Sequence, residues 1–211
     1  MFNFMTEDSN KIAPIDFDAD VMPKIVAALN KQKGYASFFD WPNKATKEKG
    51  IVCDLLEAME AKGEQHGIVK VKSDQIDPPD CVGQTKDGEL VGFEVTELVD
   101  QKTVEMNRRG VHVFKEWPPD ELIAKLKVLV RDKDAKAYHG GPYSKIVLII
   151  FTDEPLVRSA DCESILHGQS VGHCKQISEA FLLLSYRPGL EAYPYVKLEL
   201  GQADSILPAK S

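Results

Sequence analysis

Two carboxylates in one short stretch are the residues best suited to chemistry. Asp80 follows Pro78-Pro79 and precedes a hairpin-like turn at Asp87-Gly88, and Glu94 lies inside the apolar strand that comes next. Adjacent strands that bring two carboxylates together supply hard oxygen ligands, the type that holds a divalent cation beside a phosphate. The plain alternatives are that Asp80 only forms a turn and that Glu94 is an edge-strand charge. The company of Glu94 argues against the second. Gly92, Phe93 and Val95 mark a well-packed strand, where an idle carboxylate is disfavoured.

The elements around these residues follow from periodicity. In the strand Glu89–Val99, Val91, Phe93 and Val95 share one face, while Leu90, Gly92, Glu94 and Thr96 share the other. Gly92 leaves room on that second face for close approach by another group. A helix is expected over Lys44–Lys62 with Gly63 as its C-cap, its apolar stripe formed by Ile51, Val52, Leu55, Leu56 and Met59. Glu48 precedes Ile51 and Val52 by three and four residues and so extends that stripe, a costly place for an unpaired carboxylate. The alternative is a wet first-turn residue favoured by the helix dipole. Glu57 and Glu60 fall off the stripe. A further strand is expected at Gly67–Lys72. A helix is expected from Asp120 to Ala137, with Pro118-Pro119 ahead of it and Leu122, Leu126, Leu129 and Val130 buried. Lys145–Thr152 is a continuous apolar run, as for a central strand covered on both faces. Ile177–Leu184 reads as helix or buried strand, and Tyr195–Leu200 alternates like a late strand. This order predicts an α/β (α+β) fold, a mixed central sheet flanked by helices, in one domain over 1–211.

Upstream, residues 1–22 read as a loosely ordered segment, and a short helix is expected around Pro23–Lys33, ended by Gly34. Asp16, Asp18 and Asp20 alternate, but the glycine and terminal glutamate of a calcium loop are missing. Phe38, Phe39 and Trp41 read as core aromatics. Composition is that of a globular protein of the cytoplasm. No apolar run spans a bilayer, Met1–Asp20 has no basic n-region, and the four cysteines form no CxxC pair. The net charge of −7 argues against indiscriminate nucleic-acid binding. That charge is uneven. Residues 1–100 carry 11 basic against 19 acidic side chains, 101–145 carry 10 against 6, and 146–211 carry 5 against 8. A basic middle segment after paired carboxylates suits a phosphate-backbone partner, or is a solvated helix face. No GxSxG, P-loop or GxGxxG motif occurs.

Glu48 on a helix, Pro79-Asp80, a turn, Glu94-Val95-Thr96 on a strand, then helix and central strand: over residues 44–152 this order resembles the PD-(D/E)XK, or restriction-endonuclease-like, nuclease superfamily. The resemblance implies a restriction-endonuclease-like sheet and a hydrolase of phosphodiester bonds. It implies Mg²⁺ (or Mn²⁺) held by Asp80, Glu94 and the backbone carbonyl of Val95, with Glu48 assisting from the helix. It implies nucleic acid, DNA, as partner, no membrane, and the homodimer expected of a cutter of duplex DNA, for which nothing in the sequence marks an interface. Thr96 stands where the family has its lysine, and threonine carries no charge to stabilise an attacking hydroxide. Members of the superfamily supply that group from other elements. The candidates are Lys102, Lys125, Lys133 and Lys136, of which Lys133, four residues after Leu129, lies closest to the buried stripe. The missing lysine also leaves open a second expectation, a catalytically inactive binding or interaction module on the same fold.

Overall fold

The apolar run Lys145–Thr152 forms the central strand β4, and the sheet is laid out on either side of it. A computed structural model describes residues 43–74, 78–111, 113–185 and 190–201. The expected loose segment 1–22, the Pro23–Lys33 helix and the aromatic group Phe38, Phe39 and Trp41 lie outside the described residues. Seven strands, β1 (Ile68–Ser73), β2 (Cys81–Thr85), β3 (Leu90–Glu97), β4, β5 (Ser170–His173), β6 (Ile177–Leu184) and β7 (Tyr195–Gly201), form one mixed sheet. Their order is β1-β2-β3-β4-β6-β7-β5. The first three make an antiparallel meander. β3, β4 and β6 run parallel, β7 returns antiparallel to β6, and β5 lies parallel to β7. Four helices flank the sheet among the described residues: α1 (Lys44–Ala61), α2 (Gln101–Arg108), α3 (Pro119–Asp134) and α4 (Ser159–Leu166). The fold is α/β, as expected.

Strand parity sorts the core into two layers. Ile146, Leu148 and Ile150 of β4 pack with Leu122, Leu126 and Val130 of α3 and with Cys162 and Leu166 of α4. Val147 and Ile149 pack on the opposite face with Val91, Phe93 and Val95 of β3 and Ile51, Val52, Leu55 and Leu56 of α1. Leu148, Ile149 and Ile150 are completely buried. Each such side chain contributes about 1.5–3 kcal/mol relative to exposure. β3 therefore turns Val91, Phe93 and Val95 toward α1, and Glu94 and Thr96 toward the α3 side.

Several boundaries differ from those expected. The first helix ends at Ala61, with Gly63 at φ 77° just beyond it. The helix expected to reach Ala137 stops at Asp134. There the Asp134 carboxylate is engaged by the backbone ahead of β6, accepting N–H bonds from Lys175, Gln176 and Ile177. Ile177–Leu184 is strand, because a short apolar run is not resolved by periodicity and here it lies parallel to β4. The sequence reading gave no range for β2, α2, α4 or β5. α2 is polar, with only Thr103 and Val104 buried, and its start is set by Asp100, whose carboxylate accepts from the Thr103 N–H and hydroxyl at 2.8 Å each. The Asp87-Gly88 turn forms as expected, with Gly88 at φ 85° and its N–H donating to Thr85 O. Among the described residues no helix is long and apolar enough to cross a membrane.

Candidate functional site

The site forms where β2 leaves an edge of β3 uncovered. β2 begins at Cys81, paired with Phe93, so beyond that point no strand among the described residues continues the ladder on this side of β3. The orphaned backbone groups of Val95 are satisfied by side chains instead. Its N–H donates to Asp80 Oδ2 at 2.8 Å, and its carbonyl accepts from Lys133 Nζ at 3.1 Å. Buried backbone groups need such partners, and here both are ionic.

Glu94 is fully buried. Its Oε1 accepts from Lys133 Nζ at 2.5 Å and from Lys136 Nζ at 2.7 Å, while Oε2 is buried with no hydrogen-bond partner among the described residues. Lys133 is on the last turn of α3 and Lys136 is just past the helix. The tie between Asp134 and the backbone at 175–177 holds that end of α3 against the sheet. Partial burial pushes the Asp134 carboxyl up, but the three backbone donations outweigh it and hold it below the usual carboxylate range. Tyr138 completes this side. Its hydroxyl donates to Lys133 O at 3.0 Å, and burial, then the Glu94 charge, raises it above the normal phenol range.

The other half of the site comes from α1. Asn43 caps the helix by accepting from Thr46 N–H, and the Ser73 hydroxyl donates to Ala45 O, fixing the first turn against the end of β1. From that turn Lys44 Nζ lies 3.3 Å from Glu48 Oε1 and 3.5 Å from Asp80 Oδ1. Glu48 and Asp80 are both buried, at 7% and 5% exposure. The stripe reading of Glu48 is therefore the right one, and the wet first-turn alternative is not. Burial, then the Asp80 charge and a hydrogen bond shared with Asp80, push the Glu48 carboxyl up to about 7, against the opposing pull of Lys44. Pro79 packs over Gly92 on the Glu94 face of β3, where glycine leaves room for it. A Cβ there would stand 3.3 Å from Pro79 Cγ and 2.6 Å from Ile146 Cδ1.

The structure thus brings Glu48, Asp80 and the Val95 N–H together, and links Glu94 to the Val95 carbonyl through Lys133. Thr96 is half-buried on the Glu94 face, and an ammonium group reaches Glu94 from α3, that of Lys133. Lys102 is exposed on α2, and Lys125 lies roughly two turns before Lys133 on α3. Lys44 and Tyr138 were not read from the sequence as site residues. The only signal for Lys44 was its i,i+4 spacing to Glu48. A second acidic group sits at the ends of β3 and β4. Burial, then the Asp153 charge, raises the Glu97 carboxyl to about 8, with Lys47 opposing and Glu154 adding. Among the described residues no three His, Cys, Asp or Glu side chains are grouped so as to hold a metal ion by themselves. The oxygens at Asp80, Glu94 and Val95 are nevertheless hard donors of the kind that suits Mg²⁺ or Mn²⁺, ions that complete their shells with water and phosphate. The unpartnered Glu94 Oε2 is spare acceptor capacity at that point. Compared with family models, curated proteins and solved structures, the chain has no match.

Proposed function

We propose that the protein is a metal-dependent nuclease of the PD-(D/E)XK, restriction-endonuclease-like kind, hydrolysing phosphodiester bonds of DNA. Asp80, Glu94 and the Val95 carbonyl hold Mg²⁺ or Mn²⁺. The observation that carries the reading is the Lys133 ammonium, 2.5 Å from Glu94 Oε1 and 3.1 Å from Val95 O. It brings to Glu94 the positive charge that Thr96 lacks. The order of elements adds support: helix α1, the β1–β3 meander, helices α2 and α3, then β4 parallel to β3. A bound cation supplies Lewis acidity toward the phosphoryl oxygen and lowers the pKa of its water. Lys133 offers a fixed positive charge for the attacking hydroxide and for charge developing on phosphate. Asp80 is oriented by the Val95 N–H. Glu48, raised to about 7, holds or releases a proton against the Asp80 carboxylate near neutral pH.

The test is cleavage of a duplex oligonucleotide in Mg²⁺ or Mn²⁺ by the wild type and by Asp80→Ala, Glu94→Ala and Lys133→Met. The expected loss in each variant is on the order of 10²–10³-fold. Equal cleavage in all four proteins refutes the reading. Duplex binding without cleavage by any of them favours a non-catalytic binding module.

A further inference from the structure

Helix α2 buries only Thr103 and Val104, so core packing gives little account of it. Hydrogen bonds hold it and the turn behind it in shape. The Asn107 side-chain amide donates to Thr103 O at 2.9 Å and to Val113 O at 2.7 Å. Gly110, at φ 81°, closes the helix, its N–H donating to Asn107 O while the Val111 N–H donates to Met106 O. Arg108 and Arg109 stand exposed on this fixed turn. Four arginines occur among the described residues. Arg131 and Arg158 each face a carboxylate, that of Asp132 and of Asp161, whereas Arg108 and Arg109 have none within salt-bridge distance. From Gln101 to Gly110 the cationic side chains are Lys102, Arg108 and Arg109, against the single carboxylate of Glu105. Met106 and Val111, 42% and 47% exposed, add apolar area beside the arginines. The alternating charges of a merely solvated helix face are missing here.

We propose that Arg108 and Arg109 form a docking surface for the backbone of duplex DNA, engaging phosphates away from the scissile bond. This rests on the nuclease reading given above and adds where its substrate lies. Charge complementarity selects the occupant. The chain carries a net −7, so a basic turn without carboxylate partners is the place where a polyanion meets attraction rather than repulsion. A guanidinium fork matches phosphate oxygens bidentately, and such contacts fix the register of a duplex without reading its sequence. The reach also fits. β3 carries Glu94 and ends at Glu97, and α2 spans Gln101–Arg108. The chain from Glu94 to Arg108 is about 23 Å of extended backbone and about 10 Å of helix, so the arginines lie at most about 35 Å from Glu94. One duplex turn is about 34 Å long, so a phosphate at the metal and phosphates under the arginines belong to one turn of DNA.

The experiment uses the full chain and a fluorescent DNA duplex about two turns long, with binding followed by anisotropy in Ca²⁺ across a salt series. The proteins are the wild type, Arg108→Gln/Arg109→Gln, Arg108→Lys/Arg109→Lys and Lys70→Gln/Lys86→Gln, with circular dichroism confirming each fold. Lys70 and Lys86 are exposed on β1 and in the β2–β3 turn, so the last variant removes the same charge elsewhere. Loss of two phosphate contacts should make the log–log salt slope of Arg108→Gln/Arg109→Gln shallower by about 2 and weaken binding on the order of 10–100-fold at about 0.1 M salt. The lysine pair keeps the charge and should hold the wild-type slope, as should Lys70→Gln/Lys86→Gln. A wild-type slope in Arg108→Gln/Arg109→Gln, an equal change in Lys70→Gln/Lys86→Gln, or no duplex binding by the wild type overturns the proposal. Binding to phosphatidylserine vesicles that is lost in Arg108→Gln/Arg109→Gln while its duplex affinity is unchanged also overturns it, and makes a lipid surface the partner. The nuclease reading is judged separately, by whether the Mg²⁺-dependent cleavage of the wild type is lost in Asp80→Ala.

Discussion

Replacing Lys133 by methionine tests the contact on which the site depends, independently of any activity. Methionine keeps much of the stem and removes the ammonium from a carboxylate that is 0% exposed. Breaking a buried ion pair by deleting one partner costs about 3–5 kcal/mol, because the remaining charge is stranded. Here the stranding is partial, since Lys136 stays 2.7 Å from the same oxygen. The expected loss is therefore about 2 kcal/mol. Lys136→Met, at a 36% exposed side chain that leaves Lys133 in place, should cost less than about 1 kcal/mol. Glu94→Gln removes the buried charge itself, so adding Lys133→Met to it should cost far less than on the wild-type background. A coupling of at least about 1 kcal/mol is expected from the cycle. Urea unfolding followed by tryptophan fluorescence and by circular dichroism gives the four free energies, and coincident transitions establish the two-state assumption. Additivity within about 0.3 kcal/mol would refute the reasoning, since it would mean that the two groups do not meet in solution.

Three further outcomes follow from the same geometry. Glu97, raised from 4.5 to about 8 chiefly by burial, stays protonated in the fold while the unfolded chain ionises, so its contribution is complete below pH 4.5 and lost as pH rises through 8. Glu97→Gln should flatten the fall in melting temperature between pH 5 and 9, with a ceiling of about 5 kcal/mol at 1.36 kcal/mol per pH unit, and parallel curves for the two proteins would contradict it. Gly92→Ala places a Cβ 2.6 Å from Ile146 Cδ1 and should cost about 1–3 kcal/mol; adding Ile146→Val, which removes that methyl, should restore part of it in denaturant titrations. Asp134→Ala strips the acceptor from the N–H groups of Lys175, Gln176 and Ile177 and should cost about 2 kcal/mol, with faster amide exchange at those three residues as the direct readout.

What the sequence revealed depended on how local each determinant was. The central strand was legible because both of its faces are buried, which makes Lys145–Thr152 apolar without alternation. The facing of Glu94 was legible because a strand has period two, and Glu48 fell on the apolar stripe because a helix has period 3.6. α2 and α4 were illegible for the opposite reason. With only Thr103 and Val104 buried in one, and Cys162 and Leu166 in the other, neither carries enough apolar positions to set a period. Ile177–Leu184 became strand through its pairing with β4, a relation between segments that no window of the chain contains.

The cation of the site shows where that limit falls. Strand parity could say that Thr96 occupies the face of Glu94 and is uncharged; that a cation belongs at that place is what the nuclease resemblance implies. Neither could say which lysine fills it. Helix spacing put Lys133 beside the buried stripe of α3, but the part of the sheet under that end of the helix is set by two non-local facts. One is the parallel register of β3 on β4, Glu94 opposite Leu148. The other is the Asp134 tie to the backbone at 175–177, more than forty residues away. A charge carried on the strand would be positioned by its own backbone, whereas Lys133 is positioned by the packing of α3. The consequence is that substitutions at Asp134 or Gln176, which touch neither Glu94 nor Asp80, should weaken the Lys133 contact as surely as changes within the site.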